Sequence, residues 1–381
     1  MDYLSDKMEY TFLDSAYPYL KSINSIPIEE LLRQILPAEV LSPKASYLIN
    51  AVRELRDIEK LFWILGKDLP NPISMTLTNE QGTEKVINVN LVTRNKRARY
   101  WDERYFKDGF RLTEQQYNDS ASIAQLFQIE NHIGYFQIPN MIAKEYNPVF
   151  FDYMNSFMSN AKQTDALIID VRDNGGGTRD LIQELGGYFI HHDSIYVVNA
   201  ARQRGKSPLK KAQKEDLHAR FLFSKGEVDD REKQAIQKFM DNFQPRYELD
   251  DEKFSEFFYY LLNGQKLNDG KYHYDKPIYI LANERTFSAA SLLVSVFKNL
   301  PNITIVGVNT DGSSGNSQHF ELPNSNIRGN ISTMVSFQKN GDLLDGVGTA
   351  PDIIIERNLD QIFLKEDFQL IKAKKLIPTT N

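Results

Sequence analysis

The chain has 381 residues, 41% of them apolar and 25% charged, enough for two or three domains and a large buried core without covalent staples. It contains no cysteine, which excludes a disulfide framework, a thiolate zinc site and a cysteine nucleophile for this chain. A net charge of −6 and a pI near 5.7 argue against nucleic-acid binding, because phosphate contacts need a basic face. No window reaches the ~18 apolar residues of a membrane span. Acidic and basic residues at Asp2, Asp6, Lys7, Glu9 and Asp14 exclude a signal peptide in Met1–Leu20. The expectation is a cytoplasmic protein, or a trimmed form of an exported (periplasmic or extracellular) one.

In chain order, residues 17–95 read as a small module. "YLKSIN" is strand-like, Pro27 opens a helix at "IEELLRQIL", and a helical stretch covers about Lys44–Leu65. "ISMTLTNEQGTEKVINVNLV" alternates on both arms around Gln81–Gly82, as a hairpin does. A polar segment, Thr93–Asp119, follows. The expected boundaries are 1–95 for the module, 96–130 for a linker and 131–381 for a larger unit.

The larger unit opens with the strand "HIGYFQIP", ended by Pro139, and an amphipathic helix at about Pro148–Ala161. Strands are predicted at Ala166–Val171, Ile278–Leu281 and Ile303–Val308. Short, nearly all-apolar strands alternating with helices imply a sheet covered on both faces, hence α/β with parallel strands. Residues 193–272 interrupt the alternation with a basic stretch (Arg202–Lys214), an acidic one (Glu227–Glu232) and aromatic segments, and read as an inserted cap with solvated charges. Beyond Gly312, "HFELP" and "GNISTMVSFQKNG" read as a hairpin.

Two segments carry chemistry. In "DNGGGT" three glycines follow a strand and open a helix, giving backbone freedom and a partly positive helix terminus. The spacing is neither a dinucleotide fingerprint nor a P-loop; the "RGKS" at Arg204–Ser207 has Ala200 where a P-loop needs glycine. A tight structural turn and an oxyanion nest both fit. The second segment, "PIYILANERTFSAASLLVSVF", places Ser288 where a buried strand turns into an apolar helix, so Ser288 suits a helix N-cap and a nucleophile alike. Together the two suggest acyl transfer, with glycine amides supplying an oxyanion hole.

A serine needs a base. His132, His191, His192, His218, His273 and His319 each read as structural, and no spacing resembles a metal site. Asp345 and Asp352 flank a Gly-rich turn, where carboxylates are common without function, and Lys339 reads as a turn lysine.

The ordered strings "LIIDVRDNGGG", "TFSAAS", "TIVGVNTDGSSG" and "GVGTAPDI" resemble the C-terminal-processing (tail-specific) serine peptidases, and the tricorn-core-like branch more than the Ser–Lys branch. The resemblance covers about Ile133–Ile355 and implies an α/β, Clp-protease/crotonase-like core with an inserted cap, preceded by a degenerate PDZ-like N-terminal module. It implies Ser288 as nucleophile, Gly176 and Ala289 as oxyanion-hole donors, and Asp345 at the acidic triad position. It implies no metal or cofactor, and a peptide or unfolded protein as substrate. The departures are specific. Ser313 follows the Thr310–Gly312 turn where the Ser–Lys branch has its lysine, and Gln137 stands where the tricorn-like branch has its histidine. A third arrangement takes its histidine from an Asp-x-His segment before the PDZ-like module, and this chain begins too late to hold one. No glycine precedes Gly66 either, so the carboxylate-binding loop of a standard PDZ domain is missing. The expected activity is a serine peptidase working through an acyl-enzyme on Ser288. The alternatives are a non-catalytic peptide-binding relative on the same scaffold and, more distantly, a crotonase-type acyl-CoA enzyme.

Overall fold

The structure, a computed structural model, describes residues 2–4, 9–11, 13–36, 41–55, 57–93, 120–247, 249–362 and 365–378. The chain divides into two units: Met1–Thr113 with Arg357–Gln369, and Glu114–Glu356 with Leu370–Asn381.

In the first unit, β1 (Asp2–Leu4) pairs with β2 (Glu9–Thr11). A four-stranded antiparallel sheet then runs in the order β4 (Ile26–Pro27), β3 (Tyr19–Ile23), β5 (Ile73–Thr78), β6 (Glu84–Val89). Pro27 precedes the helix Ile28–Ile35, as its fixed φ favours. The helical stretch expected over 44–65 is two helices, Lys44–Glu54 and Ile58–Ile64. The break has a local cause: Asp57 caps the second by accepting from the Lys60 N–H. Ile23, Leu31, Ile35, Ala51, Leu61 and Phe62 form the core beneath the sheet.

Residues 94–119, which include most of the expected 96–130 linker, lie outside the described residues. The end of the linker belongs to the second unit. The helix Ser120–Ala124 leads into β7 (Phe127–Glu130), which pairs antiparallel with β8 (Ile133–Gln137). Phe127 explains this, stacking on Phe136 and packing on Phe150 and Phe157.

The second unit is built on a six-stranded sheet in the order β18–β14–β13–β9–β8–β7. Apart from the β7 edge its pairings are parallel, through β9 (Ala166–Asp170), β13 (Ile278–Ala282), β14 (Ile303–Gly307) and β18 (Ile353–Ile354). Every residue of β9 is buried, which is why its sequence does not alternate. The helix Pro148–Ala161 starts with Asn147 accepting from the Phe150 N–H and buries Phe150, Phe151, Met154, Phe157 and Met158.

The segment expected as an inserted cap is part of the architecture of this unit. Its strands β10 (Ile195–Arg204), β11 (Leu222–Ser224) and β12 (Phe254–Asn263) form an antiparallel sheet with β17 (Met334–Gln338), in the order β11–β12–β10–β17. Ala200, Ile236, Phe243, Tyr259 and Phe337 share one core across it. The charges conceal this in the sequence. Arg202, in the stretch whose composition reads as solvated, is 8% exposed, lies over the Phe257 ring and donates to Asp251 and to the Ser255 carbonyl. The expected hairpin is present as β15 (Ser317–Glu321) and β16 (Arg328–Ser332).

At the end of β9, Asp170 and Arg172 form a fully buried bidentate pair, with Arg172 Nε 2.9 Å from Oδ1 and a terminal nitrogen 2.6 Å from Oδ2. Tyr135 donates to the same carboxylate at 3.1 Å. Removing one partner strands a buried charge, so Arg172→Ala should lose about 3–5 kcal/mol of stability. Denaturant unfolding with an unchanged m-value checks this.

Candidate active site

The site is two strand-to-helix turns pressed together. The first follows β9. Asn174 donates from Nδ2 to the Ile138 carbonyl at 2.8 Å, and its own carbonyl receives the Phe287 N–H at 2.9 Å. Gly176 has φ +89° and Gly177 φ +140°. A Cβ at Gly177 would lie 2.0 Å from the Met141 carbonyl oxygen. One at Gly176 would lie 2.6 Å from Ser288 Cβ and 3.1 Å from the Ala289 nitrogen, whereas Gly175 has open space. Two of the three glycines are therefore demanded by close backbone approach.

The second turn follows β13. Asn283 and Asp173 exchange two hydrogen bonds, Asp173 N–H to Oδ1 at 3.0 Å and Asn283 Nδ2 to Asp173 Oδ1 at 2.9 Å. Arg285 pairs with Asp173 at 3.0 Å, and the Thr286 hydroxyl donates to the Val171 carbonyl at 3.0 Å. These bonds tie the elbow to the glycine turn. Ser288 then takes φ +54° and ψ −122°, and the helix Ala289–Phe297 begins. That conformation costs an L-residue about 1–3 kcal/mol and persists only where its surroundings dictate it. Ser288 stands at the N-cap position, yet its hydroxyl makes no capping bond. Half-buried, its Oγ has no hydrogen-bond partner among the described residues.

The structure brings Gly176, Ala289 and Ser288 together as expected, with one difference. The Gly176 N–H donates to Asn174 Oδ1 at 2.8 Å, and its carbonyl accepts from Met141. Gly176 thus serves close packing against Ser288 and is not a free donor here. The N–H groups of Ala289, Gly175 and Gly177 have no acceptor among the described residues. Ala289 follows Ser288 directly and is the donor best placed by chain geometry to serve a group bonded to that serine.

Asp345 lies in a cage of donors: Ser314 N–H and hydroxyl at 3.1 Å, Gly315 N–H at 3.0 Å and Ser336 N–H at 3.0 Å. It ties the loop after Gly312 to β17. Burial nonetheless holds its carboxyl above the usual range. Nearby Asp311, missed by sequence reasoning because it resembles an ordinary turn aspartate, is raised to about 6, first by burial and also by the Asp345 charge. Arg179 is 5% exposed, lowered to about 10 by burial, and donates to the Arg220 carbonyl at 2.7 Å.

The histidines have other company. His218 pairs with Glu227 at 3.1 Å, His319 with Asn330 at 3.1 Å, and His191 packs edge-on against His273. Gln137 is 5% exposed at the end of β8. Among the described residues no group of three or more His, Asp or Glu could hold a metal, and no helix is long and apolar enough to cross a membrane.

Gly176→Ala should displace Ser288 and abolish any reactivity of its hydroxyl, whereas Gly175→Ala should change stability by only about 0.5 kcal/mol; thermal melts and active-site labelling separate them. Asp311 is raised in the fold, so its favourable contribution is complete below the unfolded value near 4 and is lost as pH rises through about 6. Asp311→Asn should therefore gain about 1–3 kcal/mol relative to the parent between pH 4 and pH 7.5, read as a pH-dependent difference in melting temperature.

Comparison with known proteins agrees with this architecture. An uncharacterized protein of Chlamydia muridarum (strain MoPn / Nigg) is 30% identical over 107 residues, 27% of this chain and 18% of the relative, so the match spans less than a fifth of that relative's length. The crystal structure of mature CPAF has a TM-score of 0.59 at 17% identity, covering 97% of this chain and 77% of its own. Mature CPAF complexed with lactacystin gives 0.56 at 17% identity, covering 94% and 77%. At these identities the likeness establishes the fold. The sequence profile of Peptidase family S41 matches residues 132–355, more than half of the chain and all of the two-turn site just described, and the chain belongs to that family.

Proposed function

We propose that the chain is a serine peptidase that cleaves peptide bonds through an acyl-enzyme on Ser288. The observation that carries this is a strained serine with an unpartnered hydroxyl, held between a glycine turn and the free N–H of Ala289. In the reaction Oγ attacks the scissile carbonyl carbon, and its proton passes to a base. The carbonyl π-pair moves onto oxygen, where the Ala289 N–H stabilises it. Collapse breaks the C–N bond, the amine leaves with a proton, and water hydrolyses the ester. Removing one oxyanion donor typically costs ~10²–10³ in rate.

A second reading is favoured by one observation. The positions where relatives carry a base hold Gln137 and Ser313, and no imidazole or amine bonds to Ser288 Oγ among the described residues. On that reading the scaffold binds peptides without cleaving them, and the binding does not depend on Ser288.

A fluorophosphonate probe, with lactacystin as a second acylating ligand, distinguishes the two. Labelling of the parent and not of Ser288→Ala supports the peptidase. Equal labelling of both, or labelling of neither alongside peptide affinity that Ser288→Ala retains, overturns it.

A further inference from the structure

The Ser313 hydroxyl joins two partners of opposite kind. Its Oγ lies 3.0 and 2.9 Å from the two carboxylate oxygens of Asp311, and 3.0 Å from the backbone nitrogen of Ser288. A hydroxyl has one proton and two acceptor lone pairs. An ionised carboxylate only accepts, so the Ser313 proton goes to Asp311. A backbone N–H only donates, so a lone pair of Ser313 receives Ser288. The direction of both bonds is fixed. Asp311 is anchored in turn: its N–H donates to the Thr286 carbonyl at 3.2 Å, and its Oδ1 accepts the Ser313 N–H at 3.0 Å. The chain of bonds starts and ends on the elbow, at the residue whose φ and ψ are the least favourable in it.

We propose that Asp311 and Ser313 are positioning residues for the nucleophile: the carboxylate orients the Ser313 hydroxyl as an acceptor, and that acceptor holds the Ser288 N–H and with it the strained elbow that presents Oγ. The kinetic consequence rests on the peptidase reading of Ser288, whereas the hydrogen bond does not. With its own N–H engaged, Ser288 leaves the oxyanion to Ala289. Ionisation of Asp311 sets the arrangement. Burial raises the carboxyl to about 6, and the charge of Asp345, which itself lies near Arg179, adds to the rise. Once protonated, Asp311 is itself a donor to Ser313 Oγ and no longer fixes that hydroxyl as an acceptor for Ser288. Reactivity of Ser288 therefore falls as pH drops through about 6.

The test uses the full chain and two readouts, the fluorophosphonate labelling rate against pH and the exchange rate of the Ser288 amide hydrogen by NMR. Ser313→Ala should slow labelling about tenfold and speed amide exchange by a similar factor, the scale of one hydrogen bond. Ser313→Thr, which keeps the hydroxyl, should restore both. Asp311→Asn presents one acceptor and one donor to Ser313, as the protonated acid does, so it should show the faster amide exchange and slower labelling of the low-pH parent at every pH between about 5 and 7. Unchanged Ser288 exchange in Ser313→Ala overturns the proposal, as does failure of Ser313→Thr to restore it. If Ser313→Ala does not fold, Asp311→Ala carries the same comparison. An unlabelled parent with the predicted exchange pattern defeats the peptidase reading and leaves the positioning role standing.

Discussion

Everything at the site depends on how closely two turns approach. The glycine turn after β9 and the elbow after β13 meet with Gly176 against Ser288, at a separation that excludes even a methyl group. The approach is possible because the parent strands are parallel neighbours, in register from Ile278 opposite Leu167 to Leu281 opposite Asp170. Both turns therefore leave the same end of the sheet, as ligand-binding turns of parallel α/β sheets do. The hydrogen bonds between them, through Asn174, Asp173, Asn283 and Thr286, oppose the backbone strain at Ser288. The buried Asp170–Arg172 pair fixes the end of the strand from which the first turn departs.

A second constraint is electrostatic. Burial opposes the charges of both Asp311 and Asp345, and the Asp345 charge adds to the rise of Asp311. Asp345 offsets this with four donors that organise the loop beyond Gly312. Asp311 has fewer, and as an ionised group it works against the stability of the fold at neutral pH. A carboxylate retained at such cost is what is found where a protein gives up stability for a specific geometry. Its link through Ser313 to the Ser288 N–H supplies a physical reason for its presence.

The parallel sheet, its strands and the helices flanking them were legible because burial on both faces leaves unbroken apolar runs, and because Pro148 and Asn147 mark a helix start plainly. Ser288 and the glycine turn were legible as a pair of strand-to-turn-to-helix strings. The second sheet was not. β10 and β12 carry Arg202, Arg204 and Glu256 among apolar residues, and the pairing of β10 with β17 joins segments some 130 residues apart in sequence. A charge that is buried by stacking and by carbonyl acceptors reads, in one dimension, like a charge in water. The engagement of the Gly176 N–H was hidden for a related reason, since it depends on a side chain two residues away folding back on its own turn.

The same limit explains why Ser313 reads first as a loss. Set against the Ser–Lys pattern that the sequence partly resembles, a serine looks like a deleted base. In the fold it is a hydroxyl with a fixed direction, accepting from the backbone of the residue that would do the chemistry. A group there can hold the nucleophile or take its proton. A hydroxyl whose own proton is bound to Asp311 and whose lone pair receives an N–H is suited to holding. The proton from Ser288 must then go elsewhere. Burial makes Asp311 an acceptor of useful basicity, yet Ser313 stands between it and the Ser288 backbone. On the proposed peptidase reading, the residues around Ser288 divide the work: geometry is provided from within the two turns and the Asp311–Ser313 link, while proton transfer calls for a group beyond them.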